Sequence, residues 1–214
     1  MSDFTNAFNE ISELLQKGKA KDITGAVEKA LADGAAPADI LEKGLISGMN
    51  IIGDKFKKGE VFVPEVLIAA RAMNFASNTL KPALVKAGVQ PVGKVIICTV
   101  KGDLHDIGKN LVKMMIEGKG IEAIDLGVDC PPEKIVEAVK TSDAKVVCLS
   151  ALLTTTMLSQ KETIDAIKAA GLRDKVKIMV GGAPVTQSYA EEIGADAYTS
   201  DAASAAEVCR AYFS

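Results

Sequence analysis

Residues 103–108 carry the side chains best suited to metal chemistry. His105 is the only histidine among the 214 residues, with Asp103 two positions before it and Gly108 three positions after it. Imidazole is a common metal ligand, and a nearby carboxylate can accept its second N–H, which fixes the tautomer and raises the basicity of the ligand. Thr156 offers a hydroxyl that would support this carboxylate. Because one histidine cannot bind a bare ion tightly, the pattern predicts a metal held in a macrocycle.

The composition narrows the class of protein. The net charge is -3 and the sequence has no cluster of Lys or Arg, so nucleic acid is not an expected partner. No apolar stretch is long enough to cross a bilayer. Residues 1–6 have neither the basic region nor the apolar region of a secretory signal. None of the four cysteines forms a C-x-x-C pair, which argues against structural zinc and fits a reducing cytoplasm. We therefore expect a cytoplasmic protein that contacts neither membrane nor nucleic acid.

Residues 1–88 have the apolar periodicity of helices. Apolar residues recur at helical spacing in four stripes, which are separated by turns that contain glycine. The stripes begin near Phe4, Ile23, Leu41 and Val63. Four amphipathic helices with short connections predict a four-helix bundle. Pro82 lacks the N–H that a helix interior needs, so we expect the last helix to break or kink near Lys81.

Residues 94–214 follow a different period, in which short apolar, β-branched runs alternate with helical patterns. The runs lie at residues 95–98, 121–126, 146–149, 178–180 and 195–199. Right-handed crossovers between such strands predict a five-stranded parallel sheet covered on both faces, in the order 2-1-3-4-5. Residues 89–93 form the predicted linker. The chain is therefore expected to be a helical bundle followed by a Rossmann-like (flavodoxin-like) α/β domain.

Three loops are expected to converge at one edge of this sheet, because ligands bind beyond the carboxyl ends of the strands, where the winding direction reverses. The loop after the first strand contains His105, and the loop after the third, residues 150–156, offers four hydroxyls. The loop after the fourth contains Gly181 and Gly182, where missing side chains would let a large ligand approach the backbone. The sequence has no G-x-G-x-x-G turn and no P-loop, and Ser150 stands where an aspartyl-phosphate receiver would have an acid.

These residues resemble a known family. Residues 103–108 match the D-x-H-x-x-G signature of cobalamin-binding domains, while Ser150-Ala151-Leu152 and Gly181-Gly182 resemble its S-x-L and G-G segments. In the helical half, residues 59–66 followed by 70–73 resemble the cap of methyl-corrinoid proteins. The chain is similar, from about residue 31 onward most strongly, to the free-standing corrinoid proteins of methyltransferase systems. Those systems serve methylamines, methanol, betaines or aryl methyl ethers.

The resemblance implies roles around the metal. His105 would replace the cofactor's own dimethylbenzimidazole as the lower axial ligand of cobalt, and Asp103 would hydrogen-bond His105. Thr156 would complete this relay at a position where the cobalamin domain of methionine synthase has a serine. The departure keeps the hydroxyl and adds a methyl group.

The resemblance also implies contacts with the rest of the cofactor. Ser150 and Thr154 would contact the displaced nucleotide tail, for which the glycines would leave room. The residues expected to bind the cofactor in this region are Ser150, Leu152, Thr154, Gly108, Gly181 and Gly182. The cap would cover the upper face of the corrin with apolar side chains. The candidates there are Phe62, Val63, Val66, Leu67 and Met73.

The function implied is that of a methyl carrier, a corrinoid subunit that is not itself catalytic. A substrate-specific methyltransferase would load a methyl group onto cobalt, and a second one would pass it to coenzyme M or tetrahydrofolate. A corrinoid-reactivating reductase is a further expected partner. Donor choice would reside mainly in the partner enzyme. The alternatives are a cobalamin store or sensor, the small subunit of an adenosylcobalamin mutase, and a flavodoxin-like protein that binds no corrin.

Overall fold

The computed structural model describes residues 4–214, which form two compact units. One contains the chain up to Pro91 together with Gly118–Gly120, and the other contains Val92–Glu117 and Ile121–Ser214. The expected lack of a secretory signal and the start of the predicted helical domain rest partly on residues 1–3, which lie outside the described residues. Within the described chain, no helix is long and apolar enough to span a membrane.

The first unit is helical. Its elements are α1 (Thr5–Gln16), α2 (Ala20–Ala32), α3 (Pro37–Asp39), α4 (Ser47–Lys57) and α5 (Val63–Lys86). A π-helical segment (Ile40–Ile46) joins α3 to α4 without a break, so residues 4–91 form four packed rods. The apolar stripes face inward, as amphipathic helices require. Buried positions include Ile11, Leu15, Ile23, Val27, Leu45, Ile52, Val66 and Leu80. The predicted four-helix bundle is confirmed.

We predicted a break or a kink near Lys81. Helix α5 runs unbroken through Pro82 to Lys86, so the break is wrong, and the kink stays a prediction. Pro82 has no N–H to donate to the carbonyl four residues earlier, which belongs to Asn78. Both residues are exposed, so water can serve that carbonyl. Leu80 is fully buried and anchors this part of the helix in the core. One missing hydrogen bond on the solvent side therefore does not end the helix.

The second unit is an α/β sheet. Its strands are β1 (Lys94–Thr99), β2 (Glu122–Asp125), β3 (Val146–Ser150), β4 (Lys177–Gly181) and β5 (Ala197–Tyr198). Its helices are α6 (Ile107–Glu117), α7 (Pro132–Thr141), α8 (Met157–Ala169), α9 (Gln187–Ile193) and α10 (Ala202–Ala211). The described strands pair in parallel in the order β2-β1-β3-β4-β5, which confirms the predicted topology. Thr99 pairs with Ser150 and Ser150 with Gly181, so β1, β3 and β4 end at one level.

A nearly buried ion pair fastens the start of α6 to the end of β2. The Nζ of Lys109 lies 2.7 and 2.8 Å from the two carboxylate oxygens of Asp125, and the side chain of Lys109 is only 3% exposed. Lys113 contacts the same carboxylate at 3.3 Å, and the N–H of Gly127 donates to it at 2.9 Å. Burial raises the pKa of Asp125, but these hydrogen bonds and charges outweigh burial and hold it below its usual value.

We expect Asp125→Asn to destabilise the protein, because it leaves the ammonium of Lys109 buried without an opposite charge. The free energy of unfolding should fall by about 3 kcal/mol in urea denaturation followed by circular dichroism. The control is Asp143→Asn, which removes the exposed partner of Lys94 at 2.9 Å and should change stability little. Equal effects of the two substitutions would contradict a structural role for the Lys109–Asp125 pair.

Candidate functional site

The carboxylate of Asp103 is fully buried and is met by four groups of the described chain. Its Oδ1 accepts from the backbone N–H of His105 at 3.0 Å and lies 2.7 Å from Nδ1 of the His105 ring. Its Oδ2 accepts from the hydroxyl of Thr156 and from the backbone N–H of Leu152, both at 2.7 Å. These groups come from the β1–α6 and β3–α8 loops. The carboxylate therefore ties together two of the loops expected to converge.

The hydrogen bonds keep Asp103 ionised. Burial raises its pKa, but the hydrogen bonds from Thr156, His105 and Leu152 outweigh burial and hold the pKa well below its usual range. An ionised carboxylate accepts only, so Nδ1 of His105 must carry a proton in this contact. In a neutral ring the lone pair is then on Nε2. That nitrogen is the one left to bind a metal.

Exposed apolar side chains flank His105, whose own side chain is 51% exposed. Leu104 and Ile107 lie on the β1–α6 loop and at the start of α6, and Leu152 and Leu153 lie on the β3–α8 loop. Exposed apolar groups gathered around a polar centre mark an interaction surface rather than ordinary solvent-facing chain. A half-exposed imidazole within such a surface suits a flat, largely apolar ligand with a metal at its centre.

Three further hydrogen bonds fix the backbone around Asp103. The hydroxyl of Thr99 donates to the carbonyl of His105 at 2.9 Å. Asp129, on the β2–α7 loop, accepts the N–H of Gly102 at 2.7 Å, and its own N–H donates to the carbonyl of Asp103 at 3.0 Å. Asp129 has a φ of 50°, which is uncommon for a residue other than glycine and is typical of functional loops. A third loop thus clamps the segment on both sides of the carboxylate.

The glycines of the predicted site differ in whether a side chain would fit at their position. A Cβ built at Gly108 or Gly181 would meet nothing within 4 Å, so these two positions leave open space that a ligand can use. At Gly182, where φ is 130°, a Cβ would collide with the carbonyl of Ala151. The backbone itself therefore requires glycine at position 182, whatever the ligand.

The other predicted residues fall in two places. Ser150 is half-buried at the end of β3, and Leu152 and Thr154 are exposed on the loop that follows, so all three lie at the same edge as His105. The cap candidates belong to the helical unit. Phe62, Val63 and Leu67 are exposed there, whereas Val66 and Met73 are buried. A role for the cap candidates in binding stays a prediction.

Some contacts of the site could not be read from residue types. Leu152 contributes its backbone N–H, and Asp129 acts through a loop that the sequence analysis did not single out. The one available signal for Asp129 was its place beyond the end of β2. Among residues 4–214, no three His, Cys, Asp or Glu side chains cluster in a way that would hold a metal ion. A metal bound through His105 would therefore need its remaining ligands from a group outside the described chain.

Comparisons with known proteins identify the domains of the chain. Residues 93–209 match the B12 binding domain, and residues 7–81 match a second B12 binding domain model. The chain is 40% identical over 205 residues to dimethylamine corrinoid protein 3 of Methanosarcina acetivorans, covering 96% of each chain. It is 47% identical over 172 residues to the trimethylamine corrinoid protein of Methanosarcina barkeri, covering 79% of each.

A solved structure extends the comparison to the fold. The structure of the methanol:cobalamin methyltransferase complex MtaBC from Methanosarcina barkeri matches with a TM-score of 0.87 and 28% sequence identity. The match covers 97% of this chain and 80% of the chain in the complex. The helical bundle and the sheet unit of the present chain thus each have a counterpart in proteins that handle corrinoids.

We expect Thr156→Val to destabilise the protein, because it deprives the buried carboxylate of Asp103 of one donor. The free energy of unfolding should fall by about 2 kcal/mol in urea denaturation. Thr156→Ser keeps the hydroxyl and should retain most of the stability. Thr155→Val, at the exposed neighbouring position, is the control. If Thr156→Val cost no more than Thr155→Val, the hydroxyl would not be supporting Asp103.

Proposed function

Since this chain belongs to the B12-binding corrinoid proteins of methyltransferase systems, we propose that it carries a methyl group on cobalt between two methyltransferases. Members of this family bind a corrinoid and work with methyltransferase partners. When bound, the corrinoid supplies the cobalt that takes up and releases the methyl group. The observation that carries the proposal is the contact of 2.7 Å between Asp103 and His105 at the edge of the sheet.

We propose that Nε2 of His105 would bind the cobalt of the corrinoid. The support is chemical: Asp103 orients the ring and holds the proton on Nδ1, and a charged acceptor on one nitrogen makes the other a better donor to a metal. Thr156 and Leu152 hold the carboxylate at its place in this relay. The exposed apolar side chains on the two loops would lie against the corrin and exclude water from the bond.

The remaining site residues keep the roles expected of them. We assign contact with the nucleotide tail to Ser150, Leu152 and Thr154, with room left by Gly108 and Gly181. We assign the corrinoid-binding domain to residues 94–214, the cap to residues 1–88 and the linker to residues 89–93. The candidates for contact with the upper face of the corrin are Phe62, Val63 and Met73.

We infer that the methyl donor is a methylated amine. The identity to proteins named for dimethylamine and trimethylamine is 40% and 47%, against 28% to the protein of the methanol complex. The first partner is then a methylamine methyltransferase. The second passes the methyl group to coenzyme M or tetrahydrofolate, and a reductase restores the cofactor after oxidation. We place all of these partners in the cytoplasm.

His105→Ala should remove the lower ligand. Wild-type apoprotein mixed with hydroxocobalamin and then desalted should stay coloured and show the visible spectrum of an imidazole-ligated cobalt. The variant should lose this spectrum, and added free imidazole should restore it. Asp103→Asn keeps the ring but weakens its support, so affinity should fall about tenfold. An unchanged spectrum in His105→Ala would contradict the ligand assignment, and a colourless wild-type protein would contradict the function.

The donor class can be tested with purified partners. Reduced holoprotein is incubated with a methylamine methyltransferase or a methanol methyltransferase and the matching ¹⁴C-methyl substrate, and label on the protein is counted. We expect label from the amine enzyme only. Methyl iodide, which needs no partner, is the control for a competent holoprotein. Label from the methanol enzyme alone would contradict the donor assignment and leave the carrier function standing.

A further inference from the structure

Gln160, on α8, fastens the ends of two strands. Its side chain is fully buried, and its Nε2 donates to the carbonyl of Leu149 at 2.9 Å and to the carbonyl of Gly181 at 3.1 Å. These carbonyls stand at the carboxyl ends of β3 and β4, which are neighbours in the sheet. The amide therefore lies directly behind two of the three loops that form the site.

The Oε1 of Gln160 is a buried acceptor that receives no hydrogen bond from any residue between 4 and 214. Its orientation is settled by the other end of the amide, because a flipped side chain would place this oxygen against two carbonyl oxygens. A buried amide oxygen without a donor is costly, and native proteins rarely retain one without a reason. The structure thus offers an acceptor that calls for a donor from outside the chain.

The position of Gln160 connects it with the metal relay. Thr156 immediately precedes α8 and Gln160 follows it by four residues, so the two side chains lie on the same side of the helix, about 6 Å apart along its axis. Thr156 donates to Asp103, and Asp103 contacts His105. The position of Gly181, whose carbonyl accepts from Gln160, also has open space where a Cβ would lie. Thr156 and Gln160 are therefore two buried polar residues that both bond to groups at the carboxyl ends of the strands.

The chemistry of the cofactor supplies a donor, given the proposed function on which this step rests. A corrinoid bound through His105 would release its own nucleotide base, since the imidazole would take the place of that base on cobalt. The released tail would then be able to reach the ends of the strands near His105. It carries a ribose hydroxyl and an amide N–H, which can donate, and a phosphate, which only accepts. An amide oxygen selects the first two.

We propose that Oε1 of Gln160 accepts a hydrogen bond from a ribose hydroxyl or amide N–H of the displaced tail. Gln160 is then a residue that makes the site specific for corrinoids with a nucleotide tail. Its Nε2 hydrogen-bonds to the strand ends, while its Oε1 accepts the hydrogen bond from the tail. Its residue type gives no signal of this role, because a glutamine in a helix resembles an ordinary solvent-facing residue.

The test compares two corrinoids on the full chain: hydroxocobalamin, which has the tail, and cobinamide, which lacks it. Dissociation constants are measured by visible-spectrum titration for the wild type and for Gln160→Met, which has a similar shape and no polar amide. The variant should lose about tenfold in affinity for hydroxocobalamin and change less than about twofold for cobinamide. Equal losses for both ligands would mean a purely structural role and would overturn the proposal, as would no loss for either.

The control variant is Thr163→Val. Thr163 is also fully buried on α8, but its hydroxyl donates to the carbonyl of Ser159 within the helix. This substitution should leave the ratio of the two affinities unchanged; a shift like that of Gln160→Met would overturn the proposal. If a water molecule donated to Oε1 in both complexes, Gln160→Met would also leave the ratio of the two affinities unchanged. That result would overturn the proposal.

A second measurement needs no folded variant. The side-chain amide signal of Gln160 in the ¹H–¹⁵N spectrum of the wild type should shift with hydroxocobalamin and stay in place with cobinamide. Identical shifts with both ligands would overturn the proposal. If the wild type retained neither corrinoid, the proposed function itself would fail, and that outcome is separate from every result that concerns Gln160.

Discussion

A buried negative charge is the constraint on which the sheet unit depends. The carboxylate of Asp103 has no contact with solvent, and an ion in that position is tolerated only if hydrogen bonds replace the water it has lost. The donors are a hydroxyl, two backbone N–H groups and an imidazole, supplied by two loops that are far apart in sequence. Any fold that displaced one of these loops would leave the charge without hydrogen bonds. The contacts that stabilise the charge are therefore the same contacts that position the imidazole.

The sheet topology allows this requirement to be met. Strands β1 and β3 are neighbours, although β2 lies between them in sequence, so the loops that follow them leave the sheet side by side. The pairing of Thr99 with Ser150 sets both loops at the same level. On the other side of β1, the ion pair of Lys109 with Asp125 fixes the first turn of α6. The loop that carries His105 is therefore held at its two ends by separate interactions.

The sequence predicted the elements better than the fine contacts, for a physical reason. Apolar residues recur with the period of the element that buries them, so their spacing indicated the helices and strands. The strand order followed from these elements together with the rule of right-handed crossovers. Residue types indicated Asp103, His105 and Thr156, because each carries its chemistry in its side chain. The N–H of Leu152 and the clamp of Asp129 depend on how distant backbone segments approach each other, which no residue type reveals. The helix continues through Pro82 because the carbonyl of Asn78, which loses its partner, is on an exposed residue. A rule based on the residue type of proline does not include this exposure.

The contact between Asp103 and His105 is made entirely by the chain, so folding itself selects the rotamer of the imidazole. A side chain that must be immobilised during association costs about 0.5–1.5 kcal/mol in lost rotational freedom. Here that loss of entropy belongs to folding, so a corrinoid that bound through His105 would meet an imidazole that is already oriented. Substitutions around Asp103 and His105 among related chains would then alter how long the cofactor stays bound rather than how quickly it binds.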